Sequence, residues 1–127
     1  MQLPKRESLP KRNNPLGKLG EDFAVKFLLQ KDYRILARNF RSRFGEIDIV
    51  AQKGDALVFV EVKTRWSKKF GGPFEAVTPW KIQKIKRTAE YYSLLHPKLP
   101  KKLLIEIVGL EIENAEVVSC KVATLLE

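Results

Sequence analysis

The stretch from Gly45 to Arg65 constrains this chain more than any other. Gly45-Glu46-Ile47-Asp48-Ile49-Val50-Ala51 and Leu57-Val58-Phe59-Val60-Glu61-Val62-Lys63-Thr64-Arg65 are rich in β-branched and apolar residues. Their charges fall at alternate positions, so both halves read as strands. Gly54-Asp55 between them is a two-residue hairpin signal. With those residues in the turn, Lys53 faces Ala56 and every opposed pair of residue numbers sums to 109. Asp48 then lies opposite Glu61, and Glu46 opposite Lys63.

The second of these pairs is ordinary and the first is not. Directly opposed side chains have Cβ atoms roughly 4.5–5.5 Å apart, and like charges there destabilise a sheet. Either something positive sits between the carboxylates, one of them holds a proton, or the strands pair in another register. A divalent metal with oxygen ligands at about 2.0–2.6 Å fits such a gap. Lys63 shares a strand face with Glu61 because side chains alternate with period two.

At 127 residues the chain is the length of one domain, and its 44% hydrophobic content with seven Phe fits a globular class. No apolar run approaches the ~20 residues needed to cross a bilayer. Met1 to Pro15 is polar and basic, unlike a signal peptide, so a cytoplasmic location and no membrane are expected. The excess of 24 basic over 15 acidic residues gives a net charge of +9, which favours polyanionic partners, nucleic acid before anionic surfaces. The single cysteine, Cys120, excludes an internal disulfide and a cysteine zinc cluster, and reads as a small apolar strand residue. His96 precedes Pro97 at a helix end, where a surface position is expected.

In chain order, residues 1–15 read as a flexible basic tail and 16–127 as a single domain. From Leu16 to Gln30 the positions Leu19, Phe23, Phe27, with Ala24 and Leu28, form a helical stripe. Glu21 lies on its first turns. It is either a favourable charge near a helix N-terminus, worth about 0.3–1 kcal/mol, or a third acidic residue aimed at the sheet. Tyr33 to Phe40 predicts a first strand, leading through Arg41 into the central hairpin. The loop Trp66 to Val77 mixes aromatics with Lys68 and Lys69 and leaves the strand end that carries Glu61 and Lys63. Thr78-Pro79 signals a helix start. Ile82, Ile85, Ala89 and Tyr92 form the buried stripe of that helix, with Lys81, Lys84, Lys86 and Arg87 off it. Leu103 to Gly109 predicts a fourth strand, Glu111 to Ala115 a turn, and Glu116 to Leu125 an edge strand. The passage from Phe59 to Val108 predicts a right-handed crossover between parallel strands. The fold class is α/β, with a mixed four- to five-stranded sheet.

Two carboxylates and a lysine on strands of a basic chain point to metal-dependent phosphodiester hydrolysis. Asp48 and Glu61 would hold the metal, which activates water and stabilises charge on phosphate. Lys63 would orient or deprotonate the water, or neutralise the transition state. Glu21 would complete the metal shell.

Asp48 followed by Glu61-Val62-Lys63 is similar to the Asp…(Asp/Glu)-x-Lys signature of the restriction-endonuclease-like fold. The blocks Gly17-Lys18-Leu19-Gly20-Glu21-Asp22-Phe23-Ala24, Asn39-Phe40-Arg41, Gly45 to Ala51 and Val58 to Arg65 resemble the YraN-type family, UPF0102. The likeness continues through Val77, Lys81, Lys84 and Ala89-Glu90-Tyr91-Tyr92, and spans Leu16 to Val108. That family is similar to archaeal-type Holliday junction resolvases, in which a helix glutamate, an aspartate, a glutamate and a lysine form the metal site. The resemblance implies that Glu21, Asp48, Glu61 and Lys63 are catalytic, with Mg2+ or Mn2+ held by Glu21, Asp48 and Glu61. Arg41, Arg65, Lys68, Lys69, Lys81 and Lys84 are the expected nucleic-acid contacts. The expected activity is endonucleolytic cutting of DNA rather than RNA, on branched or junction structures, and a homodimer would suit symmetric cutting. A non-catalytic nucleic-acid-binding module is the alternative, and a protein-interaction subunit using the Val117–Leu125 edge is a third reading. Two positions depart from the pattern. Ile47 stands where the wider signature has Pro, and Leu104-Ile105-Glu106 where the family has Arg-Phe-Asp.

Overall fold

The computed structural model describes residues 15–66 and 77–126. The expected basic tail, but for Pro15, lies outside these residues, as do Lys68 and Lys69. The order is α1 (Pro15–Gln30), β1 (Arg34–Ser42), β2 (Gly45–Lys53), β3 (Ala56–Arg65), α2 (Pro79–Leu95), β4 (Lys102–Glu113) and β5 (Glu116–Leu126). The five strands form one sheet in sequence order. Only β3 and β4, joined through α2, run parallel; the other neighbours are antiparallel.

The helices cover opposite faces of the sheet. Val58, Val60 and Val62 pack with Ala24 and Leu28 of α1, whereas Leu57 and Phe59 pack with Ile85, Ala89 and Tyr92 of α2. Alternation along β3 therefore assigns each residue its helix, and Glu61 and Lys63 fall on the α2 side. This inner strand is buried on both faces over Ala56–Val60, as a strand with a parallel neighbour requires. The layout is compatible with a restriction-endonuclease-like core. Among the described residues no helix is long and apolar enough to cross a membrane.

Several local expectations are corrected. On α1 the buried positions are Gly20, Glu21, Ala24 and Leu28, while Leu19 and Phe23 are 42% and 38% exposed. The apolar residues of α1 span too wide an arc for all of them to face the sheet. A Cβ on Gly20 would collide with Thr64 Oγ1, so the missing side chain there lets α1 sit close against the end of β3. On α2, Thr88 is fully buried and Ile82 is not. Thr78 caps the helix as expected, accepting from the Lys81 amide, with Pro79 at the first position.

Gly109 does not end β4, which runs on to Glu113. The turn is Asn114-Ala115, with φ of 51° and 64°, the two positive values of a primed hairpin turn. Alanine at the second position hid it, because glycine is the usual occupant there.

Candidate functional site

The β2–β3 hairpin keeps the expected register from Lys53↔Ala56 to Ile49↔Val60, where its ladder ends. The expected pairs Asp48–Glu61 and Glu46–Lys63 lie beyond that end and are not part of the ladder. There the Val62 amide donates to Asp48 Oδ2 at 2.7 Å, so a side-chain carboxylate takes an amide from the neighbouring strand. Asp48 is only 2% exposed. On its other side, Asn39 of β1 adopts a φ of 53° between the pairs Arg38↔Ile49 and Phe40↔Ile47. Asp48 is thus flanked by backbone irregularity on both neighbouring strands. Asparagine tolerates this left-handed conformation better than most residues, which was the one available sign of it in the sequence.

Glu61 and Lys63 line a pocket of about 210 Å³ on the α2 side of the sheet. Gly45 and Glu46 contribute from β2; Trp80, Lys81, Lys84, Ile85 and Thr88 contribute from α2. Glu46 and Lys63 therefore share this cavity. Glu46 Oε1 is also 3.7 Å from Arg41 Nε, an ion-pair separation too long for a hydrogen bond. Lys81 and Lys84, expected on a basic helix face, stand in the same cavity as the acidic residues. Arg65 ends β3, with its Nε buried.

Glu21 lies elsewhere. It is 2% exposed on α1, on the opposite face, and lines a separate depression with Lys18, Arg38 and Asn39. Beside it Arg38 Nη2 pairs with Asp22 Oδ1 at 2.7 Å, and that hydrogen bond holds the Asp22 carboxyl below its ordinary pKa. Among the described residues, no three His, Cys, Asp or Glu side chains gather as a metal cage.

The donor chemistry nevertheless fits one class of ion. Mg2+ keeps several waters and is commonly held by one or two carboxylates plus substrate phosphates. Asp48 and Glu61 carry hard oxygen donors on adjacent strands. Glu61 lines the pocket, which has no His or Cys among its residues, whereas Asp48 is buried beside it and is not one of the lining residues. These donor types suit an open site for a hard cation, and among the described residues nothing forms a closed three-carboxylate cage.

Three residues outside the pocket resolve other expectations. Burial pushes the Cys120 thiol up to about 11, which keeps it protonated near neutral pH, as befits a packing residue rather than a nucleophile. His96 is exposed at the C-cap of α2 and stacks on Tyr92 at 4.2 Å. Glu106, the departure on β4, is buried on the α1 side of the sheet. Its Oε1 accepts from Tyr33 Oη at 2.7 Å and its Oε2 from Thr124 Oγ1 at 3.1 Å. It ties the α1–β1 connection to β4 and β5, and does not line the pocket.

The family model described as "Uncharacterised protein family UPF0102" matches residues 20–118. A UPF0102 protein of Syntrophomonas wolfei is 44% identical over 104 residues, covering 82% of this chain and 90% of that protein. One from Dictyoglomus thermophilum is 48% identical over 99 residues, covering 77% and 83%. One from Caldicellulosiruptor saccharolyticus is 56% identical over 77 residues, covering 61% and 65%.

Proposed function

The chain belongs to the UPF0102 family, and from that premise we propose that it is a metal-dependent endonuclease hydrolysing phosphodiester bonds in DNA. The observation that carries this reading is the opening of the β2–β3 ladder at Asp48 and Glu61, beside a cavity lined by three lysines.

Asp48 and Glu61 would hold Mg2+ or Mn2+. When bound, such an ion lowers the pKa of a coordinated water and offsets charge on the scissile phosphate. The Val62 amide keeps Asp48 Oδ2 in place before substrate arrives, so orienting that carboxylate costs little on binding. Lys63, on the same strand face as Glu61, orients the attacking water or neutralises charge developing on phosphate. Lys81 and Lys84 hold flanking phosphates. Glu21, which lies on the α1 side with Lys18, Arg38 and Asn39, is proposed to support the site from that face. Two copies of the chain would suit cutting of both strands.

The test is incubation with plasmid, flap and four-way-junction DNA in Mg2+, Mn2+ or EDTA. Cutting should require metal and vanish in Asp48→Ala and Lys63→Ala, with DNA binding retained. Equal cutting by wild type and Asp48→Ala would overturn the reading. The dispersed acidic residues favour a second one, a nucleic-acid-binding module without chemistry. Salt-dependent DNA binding with no cutting in either metal would select it.

A further inference from the structure

The first turn of α2 carries an aromatic side chain that the core does not use. Trp80 is 67% exposed, although it belongs to the residue types with most to gain from burial. Neither hydrophobic cluster of the sheet includes it. Scattered exposed apolar residues are ordinary on a protein surface, and Leu94 at the far end of the same helix is one. Trp80 differs in place, because it lines the cavity that holds Glu61 and Lys63. It also differs in company: Lys84 Nζ lies over its ring at 4.7 Å from the centroid. Lys81 follows it directly in the chain and lines the same cavity.

An indole with a cation against it and open surface remaining, in one cavity with Lys63, Lys81 and Glu61, matches the chemistry of a single nucleotide. Lysines take the phosphate and the indole takes the base. Stacking of a base on an aromatic side chain is sequence-tolerant, since every base offers a π-face. It does require that the face be available. In continuous duplex each base is already stacked above and below, so only an unpaired or extruded nucleotide can lie on Trp80. We infer that the site takes a strand with unpaired bases at the scissile phosphate, as in a flap, gap or frayed end, and that Trp80 is the platform for one of them. This rests on the nucleic-acid reading of the same pocket and adds the class of strand it accepts.

Binding separates this inference from the chemistry. Anisotropy of a labelled oligo-dT strand and of a blunt duplex of equal length is measured in EDTA, where no cutting occurs. The proteins are wild type, Trp80→Ala and Trp80→Phe. Trp80→Ala should lose roughly tenfold in affinity for the single strand while duplex affinity stays within about twofold. Trp80→Phe should recover most of the loss, which a general loss of apolar surface would not explain. Single-strand affinity unchanged in Trp80→Ala, or an equal loss on duplex, would overturn the platform. Either result leaves metal-dependent cutting untouched. Conversely, Trp80-dependent binding by a protein that never cuts would support the platform and remove only the endonuclease claim.

Discussion

The Val62 amide donates to Asp48 Oδ2 across the gap between β2 and β3, one step beyond their last ladder pair. A buried backbone donor left without an acceptor costs about 1–3 kcal/mol, so this carboxylate has a structural duty as well as a proposed chemical one. Substitution can divide the two. Asp48→Asn keeps an oxygen that can accept from Val62 and should unfold within about 1 kcal/mol of wild type. Asp48→Ala should lose about 1–3 kcal/mol. Both should fail to cut DNA. Denaturant unfolding beside the plasmid assay checks the pair, and cutting by Asp48→Asn at the wild-type rate would exclude the carboxylate from catalysis.

Glu106 and Tyr33, far apart in the chain, meet at 2.7 Å in a buried contact. Burial foremost, then the neighbouring Glu106 carboxylate, raises the Tyr33 phenol above its ordinary value of 10.0. The folded protein therefore keeps a proton that the unfolded chain gives up near pH 10. Where the unfolded state binds fewer protons, stability falls as pH rises. The contribution of this contact should be complete below about pH 10 and decline above it, and burial of Tyr92 acts in the same direction. Tyr33→Phe should cost about 1–3 kcal/mol at neutral pH and reduce the alkaline slope. Urea unfolding from pH 8 to 11 measures both, and an unaltered slope in Tyr33→Phe would mean that the phenol does not titrate with folding.

Ala115 sits in the β4–β5 turn at a φ of 64°, a conformation that a Cβ disfavours by roughly 1–2 kcal/mol. Glycine there removes that strain and returns part of the gain through the greater freedom of the unfolded chain. Ala115→Gly should raise stability by about 0.5–1 kcal/mol, read as a higher denaturation midpoint with an unchanged m-value. A lower midpoint would place Ala115 outside the left-handed region.

The sequence exposed the hairpin because two independent signals agreed there. Gly54 takes the positive φ that the turn needs, at 58°, and strand alternation fixes the remainder by arithmetic as far as Ile49↔Val60. Glu61, Lys63, Lys81 and Lys84 could likewise be assigned to one neighbourhood, since strand parity and a single crossover decide it. The buried side of α1 was less legible. Leu19, Phe23 and Phe27 offer as much apolar surface as Ala24 and Leu28, and only contact with the sheet selects Glu21 for burial. Long-range partnerships such as Tyr33–Glu106 carry no local signature at all. Glu106 looked like a defect beside the family pattern because its partners, Tyr33 and Thr124, lie on other elements. Trp80 could be placed at a helix start, but its exposure beside Lys84 depends on how α2 lies over the pocket.

Lys81 and Lys84 face the pocket beside Glu61 and Lys63, and their proposed role is phosphate contact. Neutralising a phosphate releases condensed counterions, so affinity falls with salt at a log–log slope of about −0.9 per contact on duplex DNA and about −0.7 on single strands. Each of Lys81→Ala and Lys84→Ala should flatten the slope by roughly one unit, and the double variant by about two. The two lysines need not weaken binding equally. Lys84 also lies over the Trp80 ring, so its loss should cost the single-stranded ligand more than the duplex, while loss of Lys81 should affect both alike. Titrations of both ligands from 50 to 300 mM salt distinguish these effects. A slope unchanged in the double variant would mean that the cationic rim of this pocket does not meet the phosphate backbone.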